Sequence, residues 1–149
     1  MTELDEEWDS IQAGIDTCSV CLREELFKET ESHPSRPISP KDAGRILFLS
    51  EAPPVTGGFW RLGCADHLRE SLLPLLGIQT TSSEIAVKAF MDKTFFLLQS
   101  LKWPLVRTFN HLGRRQQSRL IEHSVKEHLD PEMSLVKPKR ILAMGKARG

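Results

Sequence analysis

Nowhere in the 149 residues does an apolar run approach the roughly 18 residues a membrane span needs, and the first residues are too acidic for a secretory or organellar signal. Cysteine is scarce. Three thiols cannot all pair, which excludes a disulfide scaffold of the secreted kind and leaves a cytoplasmic location as the expectation. The length, 16.9 kDa in all, fits one ordinary domain, and 40% hydrophobic with 27% charged residues is the composition of a globular chain that can bury a core. Net charge is also missing, with 20 bases against 20 acids, but the balance hides a split. Residues 1–31 hold ten acids against Arg23 and Lys28, about −8, and the remainder carries about +8. From Lys102 to Arg148 eleven bases stand against four acids. Gathered on one face, that excess would meet phosphates; spread out, it is a solvated surface of mixed charge. If the acidic segment shields the basic remainder, removing residues 1–31 is expected to strengthen binding to DNA.

Trp8, Ile11, Ile15, Cys18 and Leu22 recur at steps of three and four, which predicts an acidic amphipathic helix within residues 1–31. Residues 32–44 carry three prolines in His33-Pro34-Ser35-Arg36-Pro37-Ile38-Ser39-Pro40 and read as an extended linker, with the main domain over 45–149. In that domain Ile46-Leu47-Phe48-Leu49 predicts a buried strand, Leu68 to Leu76 a helix stopped by Gly77, and Ser83 to Asp92 a further helix. Phe95 to Leu98 predicts a second strand, Arg114 to Val136 a helix that Pro131 should kink or divide, and Ile141 to Gly145 a third buried strand. Alternating strands and helices imply an α/β fold: a three-layer α/β/α arrangement about a short parallel sheet. A last strand that delivers the chain to only a few more residues suggests a fold shortened at its C-terminus.

Ligands bind at the carboxyl ends of parallel strands, which directs attention to the loops after Leu49 and Leu98. Ser50-Glu51-Ala52-Pro53-Pro54 sets a carboxylate just beyond the first strand in a backbone stiffened by two prolines, and Gly57-Gly58-Phe59-Trp60 follows. That segment combines an acid or base, glycines that admit a ligand closely and an aromatic platform. A turn with a solvated Glu is the plain alternative.

In order along the chain, Arg45 to Pro54, Gly58-Phe59-Trp60 with the Leu-rich helix ending Leu76-Gly77-Ile78, Phe95 to Lys102, and Val136 to Ala147 resemble the motifs of the uracil-DNA glycosylase superfamily, most closely its iron-sulfur branch. The resemblance covers residues 45–147. It implies that a base is turned out of the DNA stack into a pocket where water cleaves the bond to the sugar. On that likeness Glu51 orients the water and offsets positive charge on the sugar, with the loop backbone of Ala52, Pro53, Gly57 and Gly58 around it. Phe59 stacks on the base, with Trp60 as the second candidate and core packing the alternative for both. Gln99 stands where the family has a base-reading Asn, one methylene longer. Lys102, Arg107, Arg114, Arg115 and Lys146 are the candidates for DNA phosphates.

Departures from the family pattern set the remaining expectations. Cys18 and Cys21 match the first two cluster cysteines, but the later two positions fall at Trp103 and near Val125, so neither an iron-sulfur cluster nor any other cofactor is expected. A zinc grouping of Cys18, Cys21, Cys64 and His67 has suitable ligand types, yet Cys18 on an apolar helix face and Cys64 at a helix start read as incidental thiols. The family's final His-Pro-Ser motif has a counterpart in letters only at His33-Pro34-Ser35, in the linker. His111, His123 and His128 read as surface residues. The expected activity is hydrolysis of the N-glycosidic bond of a flipped-out damaged base, weak or lost in this chain, with DNA as a weakly bound partner. The alternatives are a non-catalytic nucleic-acid or nucleotide binding module and a gene fragment without independent function.

Overall fold

The computed structural model describes residues 2–18, 20, 34, 36–41, 45–54, 58–103 and 111–145. Helix α1 spans Glu3–Asp16 and starts on a capping box in which Thr2 and Asp5 each bond the other's backbone N–H. The Ser39 hydroxyl also donates to Asp5, and that bond with those from Thr2 holds the Asp5 carboxyl below its ordinary range. Trp8, 1% exposed, donates its indole N–H to Pro37 O at 3.0 Å and meets Phe96 edge-on at 5.7 Å. The acidic segment is therefore no appendage. α1 buries Trp8 and Ile15, and deleting residues 1–31 would remove part of the core as well as charge.

Strands β1 (Ile46–Ser50), β2 (Phe95–Gln99) and β3 (Arg140–Ala143) form a parallel sheet in the order β2-β1-β3, with Phe48 level with Leu97 and Leu142. Successive side chains in a strand point to opposite faces, so Leu47 and Phe96 share one face and Phe48 and Phe95 the other. Trp8 of α1 covers the first. Phe90 covers the second, 5.9 Å from Phe48 and 5.6 Å from Phe95; it lies in a helix that spans Ser83–Asp92 and follows an earlier one at His67–Leu75. These are α3 and α2. The protein is an α/β fold with helices on both faces of the sheet. Side chains of Asp66 and Ser82 cap α2 and α3, and Gly77 at φ +76° turns the chain after α2 as its sequence position implies.

The third strand departs from expectation. All of β3 is exposed, with Ile141 at 47% and Leu142 at 49%: like β2 it borders only β1, but β2 is covered by Trp8, Trp60 and Phe90 and β3 has no such cover among the described residues. The predicted helix before it is continuous along the chain but not in winding: α4 (Arg114–Ser124) passes into a π-helical turn at Val125–Leu129 and then α5 (Asp130–Val136). Pro131 explains the change. It has no N–H for the carbonyl four residues back and its ring would press on that oxygen, so the turn ahead widens and Asp130 N–H reaches Val125 O, five residues away.

Beyond β2, Lys102 is fully buried and paired with Glu132 of α5, whose other oxygen accepts from Gln12 of α1 at 2.6 Å. Burial pulls the Lys102 amine downward, and the Glu132 charge opposes that shift. Breaking such a pair leaves a lone buried charge. Glu132→Ala should lower unfolding free energy in urea by about 3–5 kcal/mol, and Lys102→Met with Glu132→Leu should recover most of it by removing both charges. A single substitution as mild as the double one would show that the pair is not desolvated.

Candidate functional site

Past the ends of the strands the ladder continues. Ser100 N–H donates to Ser50 O at 2.9 Å, Leu101 N–H to Glu51 O at 2.8 Å, and Met144 N–H to Leu49 O at 2.7 Å. These bonds hold the segment after β1 extended between its neighbours. A cleft of about 400 Å3 opens there, lined by Leu49, Ser50, Glu51, Ser100, Leu101 and Met144 among others. Glu51 is exposed at its mouth, while Ser50 Oγ is buried without a hydrogen-bond partner among the described residues.

A second cavity, about 210 Å3, is lined by Ala52, Pro54, Phe59, His67, Leu68 and Gln99 with Asp66, taking the next residues of the two segments that line the first. The sequence-predicted residues therefore divide. Phe59 and Gln99, 3% and 4% exposed, come together in one cavity, and Glu51 lines the other. Phe59 also meets Trp60 and Phe90 edge-on, both at 5.0 Å. Trp60 does not line either cavity. Its indole N–H donates to Leu97 O at 3.0 Å and its ring lies 4.8 Å from Phe96, so it covers the edge strand β2 from within the core.

Arg69 of α2 shapes the aromatic segment. Its guanidinium donates to Gly58 O at 3.2 Å, to Phe59 O and Arg61 O at 2.9 Å each, and to Cys64 O. At Gly58 φ is +152°, a conformation that side-chain-bearing residues rarely adopt, so glycine is required there. Ala52 is half-buried and Pro53 buried; Gly57 lies outside the described residues.

The phosphate candidates also divide. Arg114 and Arg115 are exposed at the start of α4, while Arg107 and Lys146 lie outside the described residues. Lys102 is corrected: 2% exposed and engaged by Glu132, its ammonium does not reach a phosphate at the surface.

Among the described residues, Cys18, Cys64 and His67 of the zinc grouping read from sequence do not converge. Cys64 Sγ donates to Arg61 O at 3.3 Å, His67 is exposed at the start of α2, and Cys21 lies outside the described residues, as does His33. Among the described residues the ligand atoms that converge are those of Cys18, His123 and His128. His128 is buried, not a surface residue, and His123 is half-buried. Burial, with like-charge repulsion from His123 and Lys102, pushes the His128 imidazole down to about 4, so it is neutral at pH 7. Trp103 is buried in a small cluster with Leu101 and Leu120, against which Cys18 packs.

Arg69→Ala should cost about 2–4 kcal/mol, because it strands carbonyls that now accept from a charged donor. Arg69→Lys should restore only part, since an ammonium lacks the planar fork that reaches several acceptors. Urea unfolding gives the stability, and limited proteolysis within 58–64 reads the loosened segment. Equal stability of Arg69→Ala and the parent would refute the role. No family model, no curated protein and no solved structure matches this chain.

Proposed function

We propose that this chain is a uracil-DNA glycosylase-like domain that engages a base turned out of DNA and carries, in weakened form, the chemistry of N-glycosidic bond hydrolysis. The position of Glu51 carries the reading. It is the first residue past the central strand of a parallel sheet and lines the cleft where all three strands end, the place such sheets reserve for ligands. There a carboxylate would accept a hydrogen bond from water, direct its oxygen at the sugar carbon and offset the positive charge that grows as the base departs with the bonding pair. The separate 210 Å3 cavity falls below the roughly 300–1,000 Å3 of drug-sized ligand sites and suits a group smaller than a nucleotide, with Gln99 as polar contact and Phe59 as apolar wall.

The division of the site favours a second reading, a nucleic-acid binding module without turnover. Glu51 and the Phe59–Gln99 pair line separate cavities, and among the described residues no imidazole or cationic side chain lines the Glu51 cleft to stabilise a departing base. Loss of one such donor typically costs about 3–4 kcal/mol, several hundredfold in rate.

Single-turnover assays on uracil-containing oligonucleotides, with affinity measured across a salt series, test both readings. The 149-residue chain should excise little or no uracil. Whatever excision remains should fall at least about tenfold in Glu51→Gln with DNA affinity nearly intact, since the change removes a transition-state charge and not a phosphate contact. Binding should weaken steeply with salt. It should strengthen when exposed Glu3, Glu6, Glu7 and Asp9 are made amides, a substitution that removes charge without removing α1. Robust excision indifferent to Glu51→Gln would sink the catalytic assignment, and DNA affinity insensitive to salt and to these amides would sink the electrostatic one.

A further inference from the structure

Cys18 follows α1, and His123 and His128 come from the widened helix more than a hundred residues later, yet their ligand atoms lie within 4.8 Å of one another. Cys18 Sγ stands 3.3 Å from His123 Nε2. The two imidazoles face each other at right angles with centroids 5.5 Å apart. The π turn makes this possible: residues five apart point about 140° away from each other on an α-helix of 3.6 residues per turn, whereas i→i+5 closure brings them toward one face. His128 Nε2 is buried and has no hydrogen-bond partner among the described residues, an arrangement that ordinarily costs stability unless something occupies that lone pair or proton. A cavity of about 460 Å3 opens on the group, with Gly14 of α1, Glu127 and Pro131 also in its wall.

We propose that Cys18, His123 and His128 form a zinc site, with the fourth coordination position facing this cavity. One thiolate and two imidazoles suit zinc, whose tetrahedral bonds of about 2.0–2.3 Å place neighbouring ligand atoms about 3.3–3.6 Å apart. The Cys18–His123 distance already falls in that range, and the other separations, none above 4.8 Å, have little more than about 1 Å to close. Two of the ligands are nitrogens, which favours a mononuclear borderline ion over an all-thiolate iron-sulfur cluster. Bound metal would join the segment after α1 to the π turn, and an open fourth position admits water or an exchangeable ligand. The site does not rest on the glycosylase-like reading: it lies off the strand ends and shares no lining residue with either cavity there.

The full chain, treated with chelator and dialysed, is titrated with zinc against a chromophoric competitor and separately with cobalt(II). One equivalent should bind. The cobalt form should show ligand-field bands of tetrahedral intensity together with a thiolate-to-cobalt charge-transfer band, and zinc should raise the melting temperature. Cys18→Ser and His128→Gln should each weaken binding at least about a hundredfold, more than the 10–100-fold typical of losing an outer partner, while Cys64→Ser leaves it unchanged. Binding of less than a tenth of an equivalent overturns the site. So does a cobalt spectrum without the thiolate band, which decides the matter on the unaltered chain even where His128→Gln fails to fold.

Discussion

The buried contact between Lys102 and Glu132 constrains more of this molecule than any other pair. One partner follows β2, the other belongs to α5, and Gln12 of α1 reaches the same carboxylate. Two charges removed from water are costly unless each meets the other and spare lone pairs find donors. The three elements must therefore arrive together. Ser124 adds a parallel tie by donating to Ser100 O at 2.6 Å, so the chain leaving β2 is held by α4 as well as by α5. Since Ser100 and Leu101 form one wall of the cleft in which Glu51 stands, the ion pair behind that wall sets where it lies.

On the other side of the sheet the work is done by rings. Phe59, Trp60 and Phe90 meet one another at 5.0 to 6.2 Å, mostly edge to face, the geometry aromatic quadrupoles prefer. Trp60 satisfies an edge carbonyl of β2 while Arg69 gathers the carbonyls of the segment that carries Phe59. The wall that offers Phe59 and Gln99 to the smaller cavity is thus rigid for reasons internal to the core. At 3% exposure Phe59 offers its cavity an edge of the cluster and not a free platform.

Much of the scaffold was legible in the sequence, for physical reasons that can be named. β1 and β2 appear as apolar runs because they are covered on both faces, and α2 and α3 as periodic segments because each buries one side, with Leu72 and Leu73 in α2 and Ala86, Val87 and Phe90 in α3. The position of Glu51 follows from the same logic, since a polar residue directly after a buried strand emerges at the strand end. Lys102 misled because a lysine's burial depends on a partner thirty residues away, and nothing local distinguishes it from a solvated base. Ile141 and Leu142 misled in the opposite sense: an apolar run reads as a buried strand whether or not rings elsewhere in the chain come to cover it, as they cover β2. Trp60 carried an aromatic signal without the information that its indole would be used on a strand edge.

Pro131 links the features that were least legible. Its ring and missing N–H forbid an ordinary turn and are accommodated by the widened winding of Val125–Leu129. An inserted π turn shifts every later side chain around the helix axis. In the sequence His123 and His128 look like opposite sides of one helix, and Glu132 like a residue of no fixed direction. In the fold the two imidazoles meet beside Cys18, and Glu132 points inward to Lys102. A single steric restriction thus couples the packing of α5 to the convergence of three metal-binding side chains. Substituting Pro131 with alanine would relax both, because an ordinary helical turn would become available to a segment whose buried contacts are arranged around a wider one.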